Sequence, residues 1–149
     1  MLGRMPDATA SVDERRYELR VVGIVESPLV DVAGAPAQGD EAELDAWIAM
    51  RPQYLPAMRD LVAGERVIVL TWLDRGDREV LEVHPRGDPA RPRQGVFSTR
   101  SPDRPNPIGL HEVEILAIDG VRLHVRNLEA FSGTPVLDLK PVLGPVGTR

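Results

Sequence analysis

The 149-residue sequence has no cysteine, and aromatic residues make up only 4% of it. Without cysteine, disulfide scaffolds, thiolate zinc sites, iron–sulfur clusters and cysteine nucleophiles are excluded. So few aromatic rings argue against a surface that stacks a long run of bases. Long hydrophobic runs are missing too: Val67 to Leu73 is far too short to cross a bilayer. Residues 1–16 are polar and charged, without the apolar stretch of a secretory leader. A soluble, cytoplasmic protein with no membrane or metal partner is expected. His84, His111 and His124 have no paired ligand spacing, and each reads as a surface or strand histidine rather than a metal ligand. A nucleophile elbow, a phosphate-binding P-loop and a glycine-rich dinucleotide fingerprint are all lacking, so a Rossmann domain is unsupported. Lysine is nearly absent; Lys140 stands alone beside 17 arginines. The 18 basic residues face 23 acidic ones, a net charge of −5, which opposes a uniformly basic nucleic-acid binder but leaves room for a local patch. Residues 86–104 hold such a patch, five arginines against two aspartates.

What is present points to strands and turns. Glycine (13) and proline (14) are plentiful, and 42% of residues are hydrophobic, enough for one core. Strands are expected at Tyr17 to Val25, Arg66 to Leu73 and Pro135 to Pro141. Arg66 to Leu73 should pair with Arg78 to His84 in a hairpin. Asp119-Gly120 suits a type I′ turn and predicts a second hairpin between Val113 to Ile118 and Val121 to Arg126. Between Glu41 and Ala63, alternation at Leu44, Ala46, Ile48 and Met50 predicts a strand, and Leu55, Met58, Leu61 and Val62 a short helix ended by Gly64. The expected fold is mainly β: a small single-domain β-barrel with one short helix over residues 17–143, a tail at 1–16 and a short tail at 144–149.

One segment stands apart: Gly95-Val96-Phe97-Ser98-Thr99-Arg100-Ser101-Pro102-Asp103-Arg104-Pro105-Asn106-Pro107-Ile108-Gly109-Leu110. Its three interior prolines fix three φ angles and remove three backbone donors, so it is neither helix nor central strand. They also stiffen the chain, which lowers the entropy lost on gripping a ligand. Arg100 and Arg104 offer planar cationic forks for carboxylate or phosphate. Ser101 and Asn106 add neutral polar groups, and Gly109 permits close backbone approach. The residues alone leave three alternatives: a binding loop, a structural crossover with solvated arginines, or polyproline ligands for a partner domain.

Thr99-Arg100-Ser101-Pro102 followed by Arg104-Pro105-Asn106-Pro107-Ile108-Gly109-Leu110 closely resembles the signature of the TrmO family, also called TsaA-like or VirR-like proteins. Gly133-Thr134-Pro135-Val136-Leu137-Asp138-Leu139-Lys140-Pro141 resembles that family's second block. The likeness covers about residues 19 to 141. It implies an S-adenosylmethionine-dependent methyltransferase, a non-Rossmann β-barrel working as a homodimer, acting on N6-threonylcarbamoyladenosine beside the tRNA anticodon. It further implies a cofactor held by Arg100, Ser101, Pro102, Asn106, Gly109 and Leu110, with backbone groups near Leu128, Gly133 and Thr134 at the adenine edge. By the same analogy Arg104 would meet a phosphate or the substrate carboxylate, while Asp138 and Lys140 would orient the acceptor and handle its proton. Asp138 and Lys140 read equally well as a strand ion pair. Asp103 stands where the family commonly has an aromatic residue. Two other readings remain: a small-molecule acceptor with the same cofactor, or a non-catalytic cofactor-binding module.

Overall fold

The computed structural model describes residues 15–28 and 45–144. The expected N-terminal tail as far as residue 14, the strand position Leu44 and the C-terminal tail from residue 145 lie outside the described residues. Eight strands are present among the described residues: β1 (Gly23–Glu26), β2 (Asp45–Met50), β3 (Arg66–Trp72), β4 (Glu82–Val83), β5 (Gln94–Gly95), β6 (Ile108–Asp119), β7 (Arg122–Arg126) and β8 (Pro135–Pro141). Six of them form a closed barrel in the order β1-β2-β7-β6-β3-β8, every adjacent pair antiparallel. Closure leaves these strands no unpaired edge.

The inward row follows the alternation of the sequence. Ala46, Ile48 and Met50 of β2, Val67 and Val69 of β3, Val113 and Ile115 of β6, and Leu123 and Val125 of β7 are all buried and pack into one core. Side chains of period two placed on one face explain why each strand contributes every second residue. The Asp119-Gly120 turn joins β6 to β7 as expected, with Gly120 at φ 60, a left-handed backbone that glycine adopts at no steric cost. The expected short helix is a 3₁₀ helix, Pro52–Met58, with only Met58 buried. Pro52 starts it and Pro56 removes a donor inside it, so a continuous α-helical ladder cannot form there. No helix among the described residues is long and apolar enough to cross a membrane.

Two expectations need correction. The first strand is not Tyr17 to Val25 but Gly23–Glu26; Tyr17 and Leu19 are exposed and belong to no strand. Arg78 to His84 does not pair with β3 either. The two neighbours of β3 are β6 and β8, so both its edges are taken. Glu82–Val83 instead pairs with Gln94–Gly95, making a separate two-stranded ribbon that ends where the proline-rich segment begins.

Candidate functional site

The proline-rich segment leaves the ribbon through a 3₁₀ turn, Val96–Ser98, and enters β6 at Ile108. Between them lies a loop built by local hydrogen bonds. Thr99 Oγ1 donates to the Val96 carbonyl and accepts the Ser101 N–H, and Ser101 Oγ accepts the Asp103 N–H. Arg104 closes the turn from inside: Nη1 donates to the Thr99 and Ser101 carbonyls at 2.9 and 3.0 Å, and Nη2 to the Val96 carbonyl at 2.8 Å. From outside, Arg78 donates to the Pro105 carbonyl and to Asn106 Oδ1. Asp103 Oδ1 accepts the Asp77 N–H, tying the loop to the turn after β3. Gly76 of that turn packs so close to the Pro102 carbonyl that a Cβ would collide with it.

A cavity of about 660 Å³ opens between this loop and two others at one end of the barrel. Arg100, Pro102 and Arg104 form one wall, and Asp74, Arg75 and Gly76 a second. Glu129, Ala130, Phe131 and Thr134, from the connection between β7 and β8, form the third. Ile108, Gly109, Leu110 and His111, at the start of β6, complete the lining. Arg75 lies over the Phe131 ring, 4.5 Å from its centroid, an arrangement that favours the cation electrostatically.

In the cavity lining, the imidazole of His111 lies 2.9 Å from the hydroxyl of fully buried Thr71. In register, Thr71 faces Gly109 and Val69 faces His111. A Cβ at position 109 would collide with Thr71 Oγ1 and lie 2.9 Å from His111 Nε2. Glycine there is a packing requirement: it leaves room for that pair. Burial first, and the Arg100 guanidinium second, hold His111 below its ordinary pKa of 6.5. The ring is therefore neutral at pH 7 and carries a lone pair. Asp74, Glu129 and His111 are the proton acceptors of the cavity lining. Among the described residues no three His, Asp or Glu side chains gather into a metal site.

Comparison with known proteins gives this arrangement a context. Residues 24–146 match the family model for the tRNA-methyltransferase O N-terminal domain. The chain belongs to the TrmO family. Over 130 residues it is 44% identical to a protein of Methanothermobacter thermautotrophicus named a probable S-adenosyl-L-methionine-binding protein, covering 87% of this chain and 93% of that one. An Archaeoglobus fulgidus protein named as S-adenosyl-L-methionine-binding is 42% identical over 122 residues, 82% of this chain and 86% of that one. TrmO from Pseudomonas aeruginosa shares the fold, with a TM-score of 0.66 at 23% identity over 90% of this chain. This chain spans 60% of the length of that solved TrmO.

The TrmO signature residues divide into those that line the cavity and those that hold it. Arg100, Pro102, Arg104, Gly109, Leu110 and Thr134 line it. Asn106 does not; its side chain is engaged by Arg78. Ser101 faces a neighbouring cleft and holds Asp103. Leu128 is a core residue with 0% exposure. The Gly133 N–H donates to the Val25 carbonyl, and the Thr134 carbonyl accepts the Val25 N–H, so both belong first to the barrel ladder. Arg104, expected at a phosphate or carboxylate, spends Nη1 and Nη2 on loop carbonyls. Asp138 and Lys140 form a 3.0 Å ion pair on β8, both about half exposed and outside the cavity lining. Asp138 stands in the same cross-strand row as Leu70 and Leu110, two strands or roughly 10 Å from the cavity wall.

Sequence reasoning missed His111, Thr71, Glu129 and Phe131 as site residues. A signal for His111 existed: it directly follows the signature, at an inward position of a strand whose other inward residues are apolar. A polar ring in such a row needs a partner, and Thr71 interrupts the apolar run of β3 at the next inward position, opposite Gly109.

Proposed function

We propose that this chain is an S-adenosylmethionine-dependent methyltransferase whose acceptor is the N6-threonylcarbamoyladenosine of tRNA, beside the anticodon. The observation that carries the reading is the convergence of both signature blocks on one cavity, Arg100 to Leu110 from one side and Thr134 from the other. Its volume lies in the ordinary range for small-molecule sites, about 300–1,000 Å³. The donor set fits the cofactor's chemistry. Leu110, Ile108 and Phe131 offer apolar surface to an adenine ring, Asp74 and Glu129 suit an ammonium or sulfonium charge, and Arg100 suits a carboxylate. When bound, the cofactor supplies an electrophilic methyl group on sulfur.

The chain's own residues then have three tasks. The loop, braced by Arg104 and Arg78, holds its polar groups in place before any ligand arrives, so little ordering is left to do on binding. Neutral His111, with Asp74 and Glu129, offers a lone pair to take the proton that the acceptor nitrogen sheds. Asp138 and Lys140 would act on the part of an acceptor lying over the outer face of β8. Ile108 and Leu110, 45% and 48% exposed beside this site, are apolar surface that a second copy would cover, in keeping with a homodimer. A cytoplasmic location, where tRNA is found, belongs to the same reading.

The test is incubation of the pure protein with S-adenosylmethionine and unmethylated tRNA, followed by nucleoside mass spectrometry. The expected product is threonylcarbamoyladenosine heavier by one methyl group. Cofactor binding without any methylated nucleoside would move the acceptor to a small molecule or make the protein a sensor.

A further inference from the structure

Behind the proline-rich loop lies a second cleft, of about 870 Å³, separated from the first by Arg100 and Pro102, which line both. Its far wall is the turn His84–Gly87 that follows β4. Arg86 sits there in the left-handed region, at φ 55 and ψ 24, an unfavourable conformation for a residue with a Cβ. The turn is held by Gly87 and Asp88 N–H groups bonding to the His84 and Pro85 carbonyls. His84 Nδ1 lies 2.8 Å from the Arg91 carbonyl, which can only accept, so Nδ1 carries the proton and Nε2 is left for a ligand. Asp103 is the carboxylate of the lining, and one of its oxygens already accepts the Asp77 N–H. Asp88 pairs with Arg91 at 3.9 Å. Among the described residues no carboxylate pairs with Arg86, Arg93 or Arg100, all exposed, in a protein whose total charge is −5. Next to Ser98 of the cleft wall stands Phe97, 85% exposed, the most exposed large hydrophobic side chain described.

We infer that this cleft is a second binding site, which takes the phosphodiester backbone of nucleotides flanking the acceptor base, with Phe97 stacking on one of their bases. Arg86 and Arg100, exposed in the lining of the cleft and without a carboxylate partner, match phosphate, while the apolar part of the lining matches the sugar and base edges. A ring exposed beside them matches an unstacked base. Placement matches too, since a backbone lying in this cleft passes Arg100 directly into the cavity where the acceptor must sit. The inference rests on the tRNA reading of the first cavity.

Two variants test it: Arg86→Asn, where Asn tolerates the left-handed turn, and separately Phe97→Ala. Binding of a fluorescein-labelled tRNA anticodon stem-loop is followed by anisotropy across a salt series. In parallel, S-adenosylmethionine binding is followed by calorimetry and folding by circular dichroism. Arg86→Asn should bind the stem-loop roughly fivefold more weakly, with a salt slope shallower by about one. Phe97→Ala should cost roughly fivefold or more. Cofactor affinity should not change in either. If wild type binds the stem-loop and both variants bind it equally well, the cleft is not the RNA site and this inference is overturned while the tRNA reading stands. If wild type shows no salt-dependent binding at all, the tRNA reading fails and the inference fails with it.

Discussion

Arginine works differently on the two sides of this molecule. On the wall made by β1, β2, β7 and β6, arginines pair with carboxylates: Arg122 with Glu26 at 2.5 Å, and Arg126 with Glu114 at 3.6 Å. Arg122 also lies over Trp47, which stacks on His124. All these side chains decorate strands whose backbone is already satisfied by the ladder. At the loop end the backbone is the problem. Prolines at 102, 105 and 107 remove donors, and the carbonyls of Val96, Thr99, Ser101 and Pro105 are bonded by the guanidinium groups of Arg104 and Arg78. There arginine replaces secondary structure, so its removal should disturb a shape rather than a surface charge.

The contrast can be broken at four places. The largest effect is expected for Arg104→Ala. Losing three charge-assisted bonds to the loop should weaken S-adenosylmethionine binding on the order of a hundredfold by calorimetry. Arg104→Lys should recover only part, because an ammonium cannot span three carbonyls as a planar fork does. Unchanged affinity in both would show that the loop holds its form without Arg104.

Next comes Gly109→Ala, where the new methyl must displace Thr71 Oγ1 or the His111 ring. A loss of about 1–3 kcal/mol in urea unfolding is expected. Adding Thr71→Ala should return part of it, because the two residues share one space. Simple additivity of the two losses would contradict the packing described.

A smaller effect concerns pH. His111 is held below its ordinary 6.5 by burial and Arg100, so the unfolded chain takes up its proton more readily than the folded one. Its contribution to stability is complete above pH 6.5 and is lost as pH falls from 6.5 through the lowered value. Wild type should therefore gain stability with rising pH in that window more steeply than His111→Gln. Equal slopes would mean that the ring is not buried as described.

The smallest effect belongs to the wall. Arg122→Ala, with both partners nearly half exposed, should cost no more than about 1 kcal/mol and leave cofactor affinity unchanged. A large loss of binding there would erase the distinction between the two regions.

Much of the barrel was legible because its strands alternate. Pro135 to Pro141 is a strand with the bounds read from the sequence, and the Asp119-Gly120 hairpin and the strand-then-helix order after residue 45 also stand. Local pattern does not say which strand is whose neighbour. Arg78 to His84 looked like a partner for β3 by proximity alone, whereas β6 and β8 reach it from far along the chain. The loop was legible as a special segment through its prolines and arginines. What each polar group does there was not, since a guanidinium that binds a ligand and one that braces carbonyls look alike in sequence. Asp103 shows the same limit: a departure from the family pattern turns out to anchor the turn at Asp77.

We propose that the loop-end cavity, shaped by arginine–carbonyl bonds, holds S-adenosylmethionine. Calorimetric titration of that cofactor into wild type, Arg104→Ala and Arg122→Ala protein tests it in a single experiment. Saturable binding to one site per chain is expected in wild type, the same affinity in Arg122→Ala, and severe loss in Arg104→Ala with the fold intact by circular dichroism. No binding heat in wild type at any cofactor concentration, confirmed by equilibrium dialysis, would contradict it.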